Sequence, residues 1–192
     1  MRNPALFLAL PVVFALSACL DGGAEMSGGA APDTAVAYIP DLVLPFGEAR
    51  TVCDVPEADR GTAVETGASY TLYDTNPGTT QARTQFVGGL KGGCLVQFTA
   101  AMAMFGDVGT HEVVRYNPAN ASRAYSEADM AYEQVKASYC GAPQGESCGA
   151  KINDLAQRST FVTVYQTFGT NPTWAEIFIH EGEMIVMARE GR

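Results

Sequence analysis

The residues most able to do chemistry are the two histidines of the chain, His111 and His180. His111 and Glu112 begin the His-Glu-x-x-His pattern with which a helix binds zinc, but the position four residues after His111 is Arg115. Two histidines also cannot supply a three-histidine metal site. A serine–histidine–carboxylate site stays open, because its members meet in space rather than in sequence. We therefore expect no catalytic residue, and a small periplasmic hydrolase using His111 or His180 is the alternative.

Other motifs that carry chemistry are incomplete. The glycine-rich stretch 88–94 contains Lys91 but lacks the Gly-x-x-x-x-Gly-Lys-Ser/Thr pattern of a phosphate loop, so it predicts a turn. The sequence has no Gly-x-Ser-x-Gly elbow for an acyl-transfer serine. Glu181 and Glu183 flank a predicted turn and do not form the opposed pair of a glycosidase. The sequence thus predicts no cofactor and no metal site.

The N-terminus has the three parts of an export signal. Arg2 supplies a positive charge, residues 5–16 are mainly apolar, and small residues precede Cys19. An apolar run of about a dozen residues is too short to cross a bilayer, which takes about 20. We therefore expect residues 1–18 to be a signal peptide. Residues 19–37, rich in Gly, Ala, Ser and Pro, are predicted to be a flexible tether.

The segment Leu16-Ser17-Ala18-Cys19 resembles the lipobox of bacterial lipoproteins. The resemblance implies cleavage before Cys19 and acylation of that cysteine, palmitate included. It therefore implies a lipid anchor in the cell envelope, facing the periplasm. Leu20 rather than an aspartate follows the cysteine, which in enterobacterial lipoproteins favours the outer membrane over the inner one. An ordinary secretory signal with an incidental cysteine is the alternative.

Four cysteines remain after Cys19, namely Cys53, Cys94, Cys140 and Cys148. An even number in an exported chain indicates disulfides, for which four cysteines allow three connectivities. Cys140 and Cys148 flank a short loop that begins where a helix should end, so they are natural partners and Cys53 is left for Cys94. Metal binding is the alternative, but the Cys-x-x-Cys spacing that favours it is absent.

Composition limits the classes of partner. The net charge of −9 becomes −10 when Arg2 is removed with the signal peptide. An acidic surface repels the phosphates of nucleic acids, so we expect no nucleic-acid partner. Residues 38–192 amount to about 150 residues, which is enough for one hydrophobic core. We therefore expect them to form a single periplasmic domain.

Strand and turn signals in the first half of the domain predict an antiparallel meander. Turn residues at 74–78, at 88–93 and at 106–109 separate its members. The predicted strands are Ser69–Tyr73, Arg83–Leu90, Cys94–Phe98 and His111–Tyr116. The Ala and Met content of residues 100–105 also suits a helix, but their position favours a continuation of the third strand through Phe105. Because side chains alternate along a strand, the third strand should present one face formed by Val96, Phe98, Ala100, Met102 and Met104.

The main helix is predicted at Glu127–Tyr139. Ser126 is its N-cap, acidic residues fill its first turn, and Gly141 and Pro143 end it. Helical spacing places an apolar stripe on one side, formed by Ala128, Ala131, Tyr132, Val135 and Tyr139.

A short helix at Lys151–Arg158 and a second meander follow. The predicted strands are Thr160–Phe168, Trp174–His180 and Met184–Ala188. Glu181-Gly182 suits a two-residue hairpin loop between the last two strands. The fold class is thus α+β and mainly antiparallel, with two meanders and one main helix at about 127–139. It forms either one sheet with the helix on one face or a partly closed barrel.

Tyrosines are the other candidate contact residues of the domain. A small α+β domain needs them to cover its sheet, so core or rim positions are favoured over a ligand face. The tyrosines considered are Tyr70, Tyr73, Tyr116, Tyr132, Tyr139 and Tyr165.

The segments 72–78, 92–94 and 111–116 resemble an uncharacterised group of small exported bacterial proteins, which brings no function with it. Together with the anchor, these features lead us to expect a lipid-anchored envelope protein. Its domain would be a non-enzymatic binding or structural module. Its partners would be the membrane, through the lipid on Cys19, and an envelope protein, a glycan or a small ligand.

Overall fold

A computed structural model describes residues 34–169 and 173–191 of the chain. The signal peptide, the lipobox and Cys19 lie outside these residues. The first sheet contains β1 (Val36–Ala37), β2 (Ala49–Cys53), β3 (Thr62–Thr66), β4 (Thr71–Asp74), β5 (Arg83–Gly88) and β6 (Leu95–Ala100). Its strands lie in the order β1-β2-β6-β5-β4-β3, and all neighbours are antiparallel except β1 and β2.

The second sheet and the helices complete the described fold. The sheet contains β7 (Met102–Gly106), β8 (Ser159–Tyr165), β9 (Thr173–His180) and β10 (Glu183–Gly191), in the order β10-β9-β8-β7 and antiparallel throughout. The helices are α1 (Glu57–Arg60), α2 (Val108–Arg115), α3 (Glu127–Cys140) and α4 (Ile152–Ala156). None of the described helices is long and apolar enough to cross a membrane.

The two sheets and the helices form three layers. Apolar residues of β4, β5 and β6 pack against those of β8 and β9, so the sheets face each other across one core. The opposite face of the second sheet packs against α2, α3 and α4 through Phe161, Phe178 and Tyr132. The prediction of an α+β domain with two meanders is confirmed. The expectation of one sheet or a partly closed barrel is wrong, because the described strands form two sheets without closing.

The chain crosses from the first sheet to the second at Ala101. This residue separates β6 from β7, and its N–H donates to the carbonyl of Tyr165 at 2.9 Å. The chain stays extended towards Phe105, as predicted, but the break changes its face. Val96 and its neighbours on β6 are buried, whereas Met104 is 41% exposed. The single face expected from Val96 to Met104 is therefore wrong beyond Ala100.

The strand predicted at His111–Tyr116 is wrong, because this segment belongs to helix α2. Asp107 caps the helix and accepts a hydrogen bond from the N–H of Thr110 at 2.8 Å, so residues 106–109 start a helix rather than close a hairpin. The β-branched pair Val113 and Val114, which favours a strand in the sequence, faces outward and is largely exposed. Burial of the opposite side of the helix overrides local propensity here.

Helix α3 follows its sequence signals closely. Ser126 and Asp129 form a capping box, and Gly141 ends the helix in the left-handed conformation. The predicted apolar stripe packs against the second sheet. The two-residue hairpin at Glu181-Gly182 is also present, with a positive φ at both residues as such a turn requires.

Two disulfides tie the layers internally. Cys53 at the end of β2 is bonded to Cys94, just before β6, with Cα atoms 4.2 Å apart. Cys140 at the end of α3 is bonded to Cys148 across the following loop, with Cα atoms 5.3 Å apart. These are the pairs that spacing predicts. The two bonds close loops of different length, because the sequence separation is 41 residues for Cys53–Cys94 and 8 residues for Cys140–Cys148.

We expect the longer loop to matter more for stability. In the chain-entropy model the Cys53–Cys94 bond contributes about 4 kcal/mol to the free energy of unfolding and Cys140–Cys148 about 2.5 kcal/mol. Urea unfolding of Cys53→Ala/Cys94→Ala and of Cys140→Ala/Cys148→Ala measures both. A larger loss in the second variant would contradict the entropy argument.

Candidate functional site

The two histidines lie at different ends of the same helix-covered face of the second sheet. His111 is on α2, in a cavity that Glu176 of β9 also lines. His180 ends β9, four residues or roughly 13 Å further along that strand. Phe178 lies between the two positions and packs into the core. The histidines therefore do not share a site.

His180 is paired with a serine. Ser159 is its cross-strand partner, and Oγ of Ser159 lies 2.7 Å from Nδ1 of His180. Burial lowers the pKa of His180 below its usual value. Ser159 is only 3% exposed, and no carboxylate among the described residues forms a hydrogen bond with the imidazole. The pair has a nucleophile and a base but lacks the third group that orients a catalytic histidine.

The acidic residues of the adjacent turn are surface residues. Glu181 forms an ion pair with Arg158 at 3.2 Å, and Glu183 forms one with Lys91 at 2.6 Å. All four side chains are about half exposed. Glu181 and Glu183 are thus solvated, as their position beside a turn predicts.

The tyrosines with the most burial are used inside the fold. The hydroxyl of Tyr70 donates to the carbonyl of Arg158 and accepts from the N–H of Gly182. The hydroxyl of Tyr132 donates to Glu112 at 2.7 Å. These contacts favour the core position over a ligand face. Tyr73, Tyr116, Tyr139 and Tyr165 are partly buried.

Glu112, the acid of the incomplete zinc pattern, has a structural role. Its carboxylate is 5% exposed and accepts from the hydroxyls of Tyr132 and Ser147 and from the N–H of Cys148. Three donors satisfy the buried charge. Glu112 thereby holds α2, α3 and the disulfide loop together, and the described residues contain no group of three ligands that could hold a metal ion.

A second buried network of hydrogen bonds surrounds Lys136 of α3. Lys136 is fully buried and donates to Glu133, to the hydroxyl of Tyr116 and to the carbonyl of Glu146. Tyr116 in turn donates to Glu133 at 2.8 Å. Burial and the neighbouring carboxylates raise the pKa of Tyr116 well above its usual value. Lys136 and Glu133 therefore have a structural role as well.

The cavity beside His111 has buried polar atoms without a hydrogen-bond partner in the described residues, namely Nε2 of His111 and Nε of Arg115. Its volume is about 140 Å³. The imidazole stacks on Phe161 with centroids 4.3 Å apart, and its Nε2 lies 3.4 Å from Oδ1 of Asp129, outside hydrogen-bond geometry. Burial lowers the pKa of His111. The residues lining the cavity are His111, Val114, Arg115, Asn120, Arg123, Asp129, Trp174 and Glu176.

Arg115 is committed to its surroundings. Its guanidinium lies 3.2 Å from Asp129, donates to the carbonyls of Asn120 and Arg123, and stacks on the ring of Tyr125. Each of these contacts uses the planar fork of the side chain. Arg115 therefore compensates Asp129 and orders the loop between α2 and α3.

Glu176 is a largely buried acid without a partner among the described residues. It lies on the helix-facing side of β9, where neither a hydrogen bond nor an ion pair reaches it from the described part of the chain. Burial raises the pKa of Glu176 to about 7, the charges of Glu190 and Asp129 add to this shift, and Arg123 opposes it. Glu190 also has a buried oxygen, Oε1, without a hydrogen-bond partner in the described residues.

Sequence reasoning found His111 but missed the rest of the cavity. The sequence indicates Asp129 only as an acidic residue of the first turn of the main helix, and Trp174 and Glu176 only as parts of a strand. One signal was available, because Glu176 interrupts the apolar run Trp-Ala-Glu-Ile-Phe-Ile of a strand that is buried on both faces. A charge at such a position needs a partner or a shifted pKa.

No family model, no curated protein and no solved structure matches the chain.

We expect Glu176 to make stability depend on pH. Its pKa is raised in the folded state, so the carboxyl group favours folding when protonated, and this contribution falls as pH rises from about 4.3 to about 7. Glu176→Gln should therefore stabilise the protein at pH 8, relative to pH 4.5, by about 1–2 kcal/mol after allowing for solvent screening.

Urea unfolding of the wild type and the variant at both pH values measures this difference. Glu57→Gln, on the exposed helix α1, is the matched control and should show no such pH dependence. An equal effect of Glu176→Gln at both pH values would contradict a buried, unpaired carboxyl group.

Proposed function

We propose that this chain is a lipid-anchored protein of the bacterial cell envelope, held by acylated Cys19, whose domain is a non-enzymatic binding module. The observation that carries the proposal is the division of the buried polar groups. Glu112 and Lys136 hold the fold together, whereas the cavity beside His111 keeps unpaired polar atoms. A small ligand is therefore favoured over a glycan or a protein as the partner.

The scaffold supports this proposal. Two disulfides suit an oxidising compartment, one within the first sheet and one at the end of helix α3. The net negative charge argues against nucleic acid as a partner. A tether between anchor and domain would keep the module near the membrane at high effective concentration.

We expect the anchor to depend on one sulfur atom. Cys19→Ser removes the acylation site, and with it the acyl chains that would hold the protein stably on a bilayer. The wild type should fractionate with membranes, and the variant should be lost from them. Fractionation with detection of the domain by antibody measures this. A variant that stays in the membrane fraction at the wild-type level would contradict the anchor.

A hydrolase is the second candidate function, favoured by the 2.7 Å contact between Ser159 and His180. We expect Ser159 to be unreactive, because its hydroxyl is buried and the imidazole lacks an orienting carboxylate among the described residues. A fluorophosphonate probe followed by intact mass measurement should find no adduct. An adduct that disappears in both Ser159→Ala and His180→Ala would establish the hydrolase instead.

A further inference from the structure

We propose that the cavity beside His111 binds a small organic cation, a primary ammonium group that carries a short apolar chain. This inference rests on the proposed binding function and names the class of its ligand. It begins from the charges that face the cavity from every element around it. The lining charges are His111 and Arg115 of α2, Arg123 of the following loop, Asp129 of α3 and Glu176 of β9. Glu190 of β10 does not line the cavity, but its charge acts on Glu176.

The charges around the cavity leave a negative excess. Arg115 and Asp129 compensate each other at 3.2 Å, and His111 is neutral because burial lowers its pKa. Glu176 and Glu190 then face the single exposed cation Arg123. A ligand that supplies one positive charge would balance this group, because a nearby opposite charge favours the ionised form of two acids that otherwise repel each other.

The unpaired carboxylate oxygens suit an ammonium group. Oε1 of Glu190 is buried without a hydrogen-bond partner in the described residues, and Glu176 forms no hydrogen bond or ion pair there. Nε2 of His111 and Nε of Arg115 also lack a hydrogen bond, but both face Asp129, at 3.4 and 3.2 Å. A primary ammonium has three N–H donors and no acceptor. Carboxylate oxygens are the acceptors that such donors need.

The remaining wall suits a short apolar chain. Trp174 and Val114 also line the cavity, and Trp174 lies two residues before Glu176 on β9 and pairs with Glu190 of β10. An indole face attracts a cation. The volume of about 140 Å³ is close to that of an engineered protein cavity of about 150 Å³ that accepts benzene, so the ligand has about six non-hydrogen atoms.

An anionic ligand fits less well, despite the two arginines. The guanidinium of Arg115 is already directed at Asp129 and at two backbone carbonyls. A carboxylate or phosphate would therefore meet Glu176 and Glu190 with only Arg123 to attract it. Repulsion between like charges at this burial outweighs one exposed cation.

Trp174 provides the test, because it is the only tryptophan of the chain and lines the cavity. Its fluorescence would be titrated at pH 8 with n-butylammonium, n-butanol and butyrate, which share their size and differ in charge. We expect saturable binding of butylammonium with a Kd of roughly 1 mM, and no saturation by the other two. Binding should weaken by roughly tenfold at pH 6, where Glu176 is mostly protonated.

Matched variants assign the effect to the cavity. Glu176→Gln and, as a second variant in case the first unfolds, Glu190→Gln should each weaken butylammonium binding at least fivefold, while exposed Glu57→Gln leaves it unchanged. Circular dichroism confirms that each variant is folded. The inference is overturned if butylammonium does not saturate, if butanol or butyrate binds as tightly, or if folded Glu176→Gln and Glu190→Gln bind like the wild type. The fluorophosphonate result on Ser159 is independent of all these outcomes. A failed butylammonium titration without an adduct on Ser159 rejects only the ligand class, whereas an adduct that depends on Ser159 and His180 rejects the non-enzymatic binding function.

Discussion

The fold depends on the need to cover the second sheet on both faces. One face packs against the first sheet, so the other requires the layer of helices that the chain inserts between β7 and β8. That layer carries many charged side chains, and each one that is buried must find a partner. Glu112 and Lys136 show the solution, because each bonds to three groups and ties a helix to its neighbours.

The candidate site is the place where this rule is not met. Glu176 points from β9 towards the helices. It has no ion pair there, because Arg115, which lines the same cavity, is already paired with Asp129. Replacing an unpaired acid by an apolar residue would make the sheet more stable. Glu176 on the helix-covered face therefore lowers the stability of the free protein, and a bound ligand would offset this loss. Functional sites often depart in this way from the rules that the surrounding core follows.

Local signals predicted the parts of the fold that local physics controls. Helix α3 has its cap and stripe, and the turn at Glu181-Gly182 has its two residues, because capping and turn geometry act over a few positions. The helix at His111 could not be predicted, since its exposed valines favour a strand and only burial of the other side decides against it. The cavity brings together residues from 111 to 176, and no spacing in the sequence encodes that meeting.

The central claim is that Glu176 is a buried acid held for a ligand, and its own titration tests this most directly. Carbon-13 NMR of the Glu176 side-chain carboxyl, assigned by loss of the signal in Glu176→Gln, would follow its protonation from pH 3 to pH 9. The account predicts a pKa of about 7 in the free protein, where burial raises it, and a lower pKa once butylammonium is bound. A pKa near the ordinary value of about 4.3, unchanged by butylammonium, would contradict it.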